Sequence, residues 1–151
     1  MKAWIQRVSS ASVSVDGEEI ASIGRGYLVL LGVTHTDTEA EADRVADRIP
    51  VLRLFRDAND QMNLSLEDVG GGVIVVSQFT LYADTAHGRR PGFGGAARPE
   101  LAEPLYEHVV ARLRERLGAE RVGTGRFGAD MKVSLVNDGP VSVELRVEAS
   151  A

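Results

Sequence analysis

Hydrophobic and polar positions follow a period of two near both ends of the chain and a helical period twice in between. Val13 and Val15 alternate with Ser12 and Ser14, and a second run over residues 18–23 follows Asp16-Gly17. An Asp-Gly pair between two such runs predicts a β-hairpin, because a type I′ turn needs positive φ at both central residues. Residues 27–33 form an unbroken apolar run of strand length, the pattern of a strand covered on both faces. Thr38 and Glu41 then have capping-box spacing, and Ala42, Val45, Ala46 and Ile49 make one apolar stripe that Pro50 ends. Residues 51–55 alternate like a strand, residues 57–63 read as a polar turn, and Gly70-Gly71-Gly72 precedes a second buried strand over residues 73–79. A Gly-, Arg- and Pro-rich loop over residues 83–98 is of a length that compact domains reserve for function or mobility. Leu101, Leu105, Val109, Leu113 and Leu117 recur every four residues and predict a helix over Pro99–Leu117, stopped by Gly118. Two last alternating runs, Met131-Val133-Leu135 and Val141-Val143-Leu145-Val147, flank Asn137-Asp138-Gly139-Pro140. They predict a turn between two strands that pair antiparallel, each with one wet face.

These elements imply a mixed α/β (α+β) fold: one domain with mainly antiparallel or mixed β-sheets and two principal helices. The length of 151 residues, 44% of them hydrophobic, suits a single core-bearing domain, expected over residues 1–147 with a frayed tail at 148–151. Lys and Arg number 17 against 22 Asp and Glu, a formal net charge of −5, which excludes a strongly basic nucleic-acid wrapper but not a local basic patch. Having no cysteine excludes disulfides, thiolate metal sites and cysteine nucleophiles. No apolar run approaches the roughly 18 residues of a membrane-spanning helix. The first residues lack a signal-peptide apolar segment. A soluble, cytoplasmic protein without membrane contact is expected.

Gly123-Thr124-Gly125-Arg126-Phe127-Gly128 spells a dinucleotide fingerprint, but the fingerprint works only where a helix follows, and the next residues alternate like a strand. A glycine-rich turn is the preferred reading. His35, His87 and His108 have no metal-ligand spacing, no nucleophile-elbow pattern is present, and no metal or cofactor is expected. Arg89, Arg90 and Arg98 share one loop. They read either as a solvated segment or as phosphate contacts, since guanidinium grips phosphate in a bidentate fork. Ser77-Gln78-Phe79-Thr80-Leu81 ends a buried strand, where polar side chains either meet solvent or assemble a site.

Taken together, Ser77-Gln78-Phe79-Thr80-Leu81 and Asn137-Asp138-Gly139-Pro140 resemble the two signature motifs of the D-aminoacyl-tRNA deacylase family. The resemblance extends through Ile5-Gln6-Arg7-Val8, Val15-Asp16-Gly17, Leu30-Leu31-Gly32-Val33, Asp37-Thr38-Glu39, Met62-Asn63-Leu64-Ser65, Gly88-Arg89-Arg90-Pro91, Phe127-Gly128-Ala129 and Met131. It implies a deacylase-like fold and hydrolysis of the ester joining a D-amino acid, or glycine mischarged on the alanine tRNA, to the terminal adenosine of tRNA. It further implies chiral proofreading in translation by a homodimer with active sites at the subunit interface. Ser77, Gln78, Phe79 and Thr80 would line the pocket for the ester. Gly139 and Pro140, joined by a cis bond, would enter the other subunit's pocket, hold the amino group by main-chain carbonyls and exclude L-residues. Met131, Asn137 and Phe127 would bind substrate, and Arg89 and Arg90 would contact tRNA. Thr80 would position substrate rather than attack it, the terminal ribose 2′-hydroxyl assisting. This chain departs from the family's usual pattern at His87, Gly92 and Ser142. The first two bear on the tRNA-side loop, and Ser142 keeps a hydroxyl.

Two rival readings follow from the same residues. One is a non-catalytic RNA-binding or interaction module on this fold, against which stand two intact pocket motifs. The other is a general esterase using Thr80 or a serine, which would cleave simple esters without regard to hand.

Overall fold

The computed structural model describes residues 1–150, and Ala151 lies outside the described residues. In chain order it comprises β1 (Lys2–Val15), β2 (Glu18–Ile23), β3 (Gly26–Gly32), α1 (Glu39–Arg48), β4 (Arg53–Arg56), β5 (Met62–Ser65), α2 (Leu66–Val69), β6 (Gly72–Ser77), α3 (Pro99–Leu117), β7 (Val122–Thr124) and β8 (Lys132–Arg146). Short 3-10 turns stand at Ile49–Val51, Phe79–Tyr82 and Ala119–Arg121.

The long strand β1 organises the main sheet. Antiparallel β3 occupies one of its edges over residues 2–8 and antiparallel β2 takes over along residues 11–15, while β8 runs antiparallel along the other edge from end to end. The β1–β2 hairpin turns at Asp16 and Gly17, with φ of 51° and 79°, as the Asp-Gly pair predicts. On the far side β3 pairs parallel with β6, and β6 parallel with β7, so the sheet is mixed. β4 and β5 form a separate antiparallel ribbon. Strands β3 and β6 are buried along most of their length, as continuous apolar runs require.

Both principal helices fit their sequence signals. Thr38 caps α1 in a reciprocal capping box with Glu41, and Pro50 ends the helix in a 3-10 turn. Helix α3 buries Leu105, Val109, Leu113 and Leu117 and stops at Gly118. The two helices pack against each other and cover one face of the sheet, with Ile5, Val29, Val75, Val45, Ile49, Val109 and Leu113 in the larger core. A second cluster, including Val8, Val13, Leu28, Ile74 and Val76, fills the other face. Among the described residues no helix is long and apolar enough to cross a membrane.

Several expectations need correction. Residues 131–147 do not form a turn between two strands pairing with each other. β8 is one strand, and both halves pair with β1. The local turn chemistry of Asn137-Asp138-Gly139-Pro140 is real, but the uninterrupted edge of β1 supplies ladder hydrogen bonds before and after it, so the chain bulges and resumes instead of reversing. Residues 49–51 are a 3-10 turn and the strand begins only at Arg53. β6 ends at Ser77, because residues 79–82 coil into a 3-10 turn. The short helix α2, with its Ser65–Asp68 capping box, stands within a stretch that lacked a helical period. Residues 147–150 carry no regular secondary structure, although the Glu148 carbonyl accepts a 2.9 Å hydrogen bond from Arg44.

Candidate active site

The parallel strands β3 and β6 end side by side, with Leu31 in register with Ser77. Beyond those carboxyl ends a cavity of about 600 Å³ opens. Crevices outside the carboxyl ends of parallel strands are a common place for ligands, since the departing loops diverge there. Its wall includes three segments distant in sequence: Ser77, Gln78 and Phe79 at and just beyond the end of β6, Phe93 and Ala96 of the long loop, and Phe127 and Met131 after β7.

Each segment is held by identifiable contacts. The Gln78 amide donates to the Leu31 carbonyl at 2.8 Å, which extends the β-ladder by one bond before the 3-10 turn begins. That turn rests on Gly32, where a Cβ would come within 3.0 Å of Leu81 Cβ and 3.2 Å of the Gln78 carbonyl. The Gln78 side-chain amide hydrogen-bonds Thr80 Oγ1. Phe79 is 55% exposed, and its ring meets that of Phe93 edge-on at 5.1 Å. The loop carrying Phe93 is pinned where Thr34 Oγ1 donates to the Gly95 carbonyl at 2.6 Å, His35 Nε2 meets the Gly94 carbonyl at 2.7 Å and the Ala97 amide donates to Val33 at 2.9 Å. Phe127 leans on Tyr106 at 6.1 Å. The Tyr106 hydroxyl donates to the Val75 carbonyl at 2.6 Å, and burial pushes the phenol up to about 12. Met131 Sδ accepts from the Arg126 amide at 3.4 Å.

The Gly139-Pro140 segment lies elsewhere. Gln6 pairs with Ser142 and Val8 with Asn137, so residues 138–141 bulge opposite the single residue Arg7. The Gly139–Pro140 bond is cis, and Gly139 has φ of 141°, a region that L side chains rarely adopt. Asn137 braces the bulge: its Oδ1 accepts from the Val141 amide at 2.7 Å and its Nδ2 donates to Ser142 Oγ at 3.0 Å. Arg7, only 2% exposed, supports it from below, donating from Nε to the Asp138 carbonyl at 2.8 Å and from Nη1 to the Leu54 carbonyl at 2.6 Å. Gly139 and Pro140 are themselves exposed.

Of the residues singled out from sequence, the fold therefore brings Ser77, Gln78, Phe79, Phe127 and Met131 around one cavity. Thr80 is exposed beside it on the same turn. Asn137, Gly139 and Pro140 belong to the bulge and do not line the cavity of their own chain. Arg89 and Arg90 are exposed in the long loop, as is His87. The glycine-rich segment 123–128 leaves β7 into a turn with no helix after it, so no helix N-terminus is available for a pyrophosphate. His108 meets Asp43 at 2.6 Å across the α1–α3 contact and serves packing.

Chemically, the cavity offers main-chain groups, the Gln78 amide, the Ser77 hydroxyl, the exposed Asp130 carboxylate, the Met131 thioether and aromatic faces. Sequence reasoning missed Phe93 and Arg7 as contributors. Arg7 sits at a covered position of an alternating strand, and a charge on an inward face was the available signal.

A family model described as D-Tyr-tRNA(Tyr) deacylase matches residues 4–146. A D-aminoacyl-tRNA deacylase of Clostridioides difficile (strain 630) is 55% identical over 145 residues, covering 96% of this chain and 96% of the relative. One of Roseiflexus castenholzii (strain DSM 13941 / HLO8) is 58% identical over 145 residues, covering 96% of this chain and 91% of the relative. A solved structure of a c-Myc DNA unwinding element binding protein superposes with a TM-score of 0.93 at 41% identity, covering 99% of this chain and 100% of that one. A probable eukaryotic D-amino acid tRNA deacylase, at 16% identity and a TM-score of 0.85 over 95% of this chain and 97% of that one, shares the fold.

Proposed function

Because the chain belongs to the D-Tyr-tRNA(Tyr) deacylase family and is a hydrolase acting on D-aminoacyl-tRNA, we propose that the cavity beyond β3 and β6 is where the aminoacyl ester is cleaved. The observation that carries this reading is the convergence of Ser77, Gln78, Phe79, Phe127 and Met131 on one cavity from segments fifty residues apart.

In this scheme the ester lies along Ser77–Thr80. A water oxygen attacks the ester carbonyl carbon, and negative charge develops on the carbonyl oxygen. The amides of Phe79 and Thr80 open a 3-10 turn, where the first N–H groups have no partner within the turn, and are offered to that oxygen. The bond to the ribose oxygen then breaks, and the proton from the attacking water ends on the leaving ribose oxygen, with the neighbouring 2′-hydroxyl assisting. Thr80 positions rather than attacks. Its hydroxyl is bonded to the Gln78 carboxamide, which is no base and cannot take the hydroxyl proton.

Handedness is judged by main chain. The Gly139-Pro140 bulge of a second copy closes the cavity, its carbonyls hold the substrate amino group, and a Cβ of the L hand collides with that wall. Glycine, lacking a Cβ, passes, so glycyl-tRNA is also a substrate. Three features support a homodimer: the bulge is exposed, it lies outside its own chain's cavity, and the second edge of β8 has no partner strand among the described residues. Arg89 and Arg90 project from the loop that supplies Phe93 and contact tRNA phosphates, in the cytoplasm where tRNA is charged.

The test is deacylation of D-tyrosyl-tRNA and L-tyrosyl-tRNA by pure protein under single-turnover conditions. The D-ester should be cleaved at least about 10³-fold faster, more than the roughly 10–200-fold that a soft pocket achieves against one misplaced methyl group. Equal rates would refute the chiral scheme.

A further inference from the structure

We infer that Lys2 is a positioning residue for the hydrolysis, holding from behind the 3-10 turn Phe79–Tyr82 whose front borders the cavity. The inference rests on the reading of that cavity as the active site.

Lys2 stands at the start of β1, in register with Gly32 of β3 and Arg146 of β8, so its backbone belongs to the middle of the sheet. Its Nζ donates to the Leu81 carbonyl at 3.1 Å and lies 4.6 Å from the centroid of the Tyr82 ring. Both contacts are with the far half of the turn. Among the described residues Lys2 makes no ion pair, so its ammonium is directed at this carbonyl and this ring rather than at a carboxylate. The stem and head border a small hollow shared with Trp4, Leu81 and Glu144.

The turn needs such a support. It is four residues long, and two of them, Phe79 and Thr80, are exposed. Its entry is fixed by the Gln78–Leu31 ladder bond, its floor by close packing on Gly32 and its exit by the Ala83 amide donating to the Thr80 carbonyl at 3.1 Å, but the bond from the Leu81 amide to the Gln78 carbonyl is long, at 3.3 Å, and neither bond engages the Leu81 carbonyl. The last carbonyls of a helical turn have no donor within the turn, and an ammonium is a strong external one. A cation over an aromatic face adds attraction on the same side. Lys2 therefore fixes the end of the turn opposite to Phe79 and Thr80, and with it the direction in which their amides point.

The test is Lys2→Met, which keeps the stem and removes the ammonium, and Lys2→Arg, which keeps a cationic donor. Single-turnover deacylation of D-tyrosyl-tRNA is measured at saturating and subsaturating enzyme, together with the thermal midpoint. Lys2→Met should lower the saturated rate by about tenfold with little change in half-saturating concentration, since orientation rather than binding is lost. Its midpoint should stay within a few degrees, and Lys2→Arg should recover most of the rate. A wild-type rate in Lys2→Met, a loss that tracks only the unfolded fraction, or no recovery in Lys2→Arg overturns the inference. Phe79→Ala separates the two levels. If it cleaves normally, the cavity reading itself fails. If it is crippled while Lys2→Met is not, the assignment of Lys2 alone fails.

Discussion

Replacing Arg7 by Met tests how the bulge is held. The side chain is 2% exposed, and its guanidinium donates to the Asp138 carbonyl at 2.8 Å and the Leu54 carbonyl at 2.6 Å. The Asp138 carboxylate stands 4.0 Å away with that side chain 55% exposed, so the ion pair itself adds little. Two hydrogen bonds from a charged group contribute roughly 3–6 kcal/mol together. Methionine fills similar space and removes the cost of burying a cation, which returns part of that, leaving a net loss of about 2–4 kcal/mol. For a domain of this size the thermal midpoint should fall by about 5–15 °C. Urea unfolding at equilibrium gives the free-energy difference. Deacylation of D-tyrosyl-tRNA, run where the variant is fully folded, gives the functional part. The variant should discriminate D from L less well, because the bulge that carries Gly139 and Pro140 loses its anchor to both β1 and the β4–β5 ribbon. An unchanged urea midpoint, or wild-type discrimination in a variant destabilised by the expected amount, would refute the idea that Arg7 sets the bulge.

Thr80→Val should retain measurable deacylation, within about 10²-fold of wild type, because a positioning hydroxyl is lost but no nucleophile; single-turnover rates check it, and complete loss would restore Thr80 as the attacking group. The capping box of α1 should make stability pH-dependent on the acid side. Hydrogen bonds from the Thr38 hydroxyl and amide, each 2.7 Å, hold the Glu41 carboxyl below its ordinary value of 4.5. A depressed folded-state value means the contribution is complete above 4.5 and disappears as pH falls through the lower, folded-state value. Urea midpoints measured on either side of 4.5 should therefore fall less steeply toward acid in Glu41→Gln than in wild type, and parallel pH profiles would contradict this.

Much of the candidate site's cavity wall was legible one segment at a time. The turn from β6 into Phe79–Tyr82 was visible as polar residues ending an apolar run, and the loop carrying Phe93 as an unusually long Gly- and Arg-rich stretch. The fault lay at residues 131–147, where turn residues between two alternating runs describe a hairpin. Whether such a segment reverses or bulges depends on the neighbouring edge. Here that edge is β1, more than a hundred residues earlier, together with an inward-facing Arg7 whose hydrogen bonds to Asp138 and Leu54 have no local signature.

Periodicity, caps and turn residues by themselves determined the β1–β2 hairpin, the buried strands β3 and β6, both long helices and the mixed α/β class, because each is a short-range balance of apolar spacing against backbone bonding. Only the tertiary structure decided that β8 is one strand, that Gly139 and Pro140 stand on a bulge away from their own cavity, and that Ser77, Phe93, Phe127 and Met131 meet around one space. Those arrangements depend on pairings between distant segments, whose hydrogen bonds and packing belong to neither partner alone.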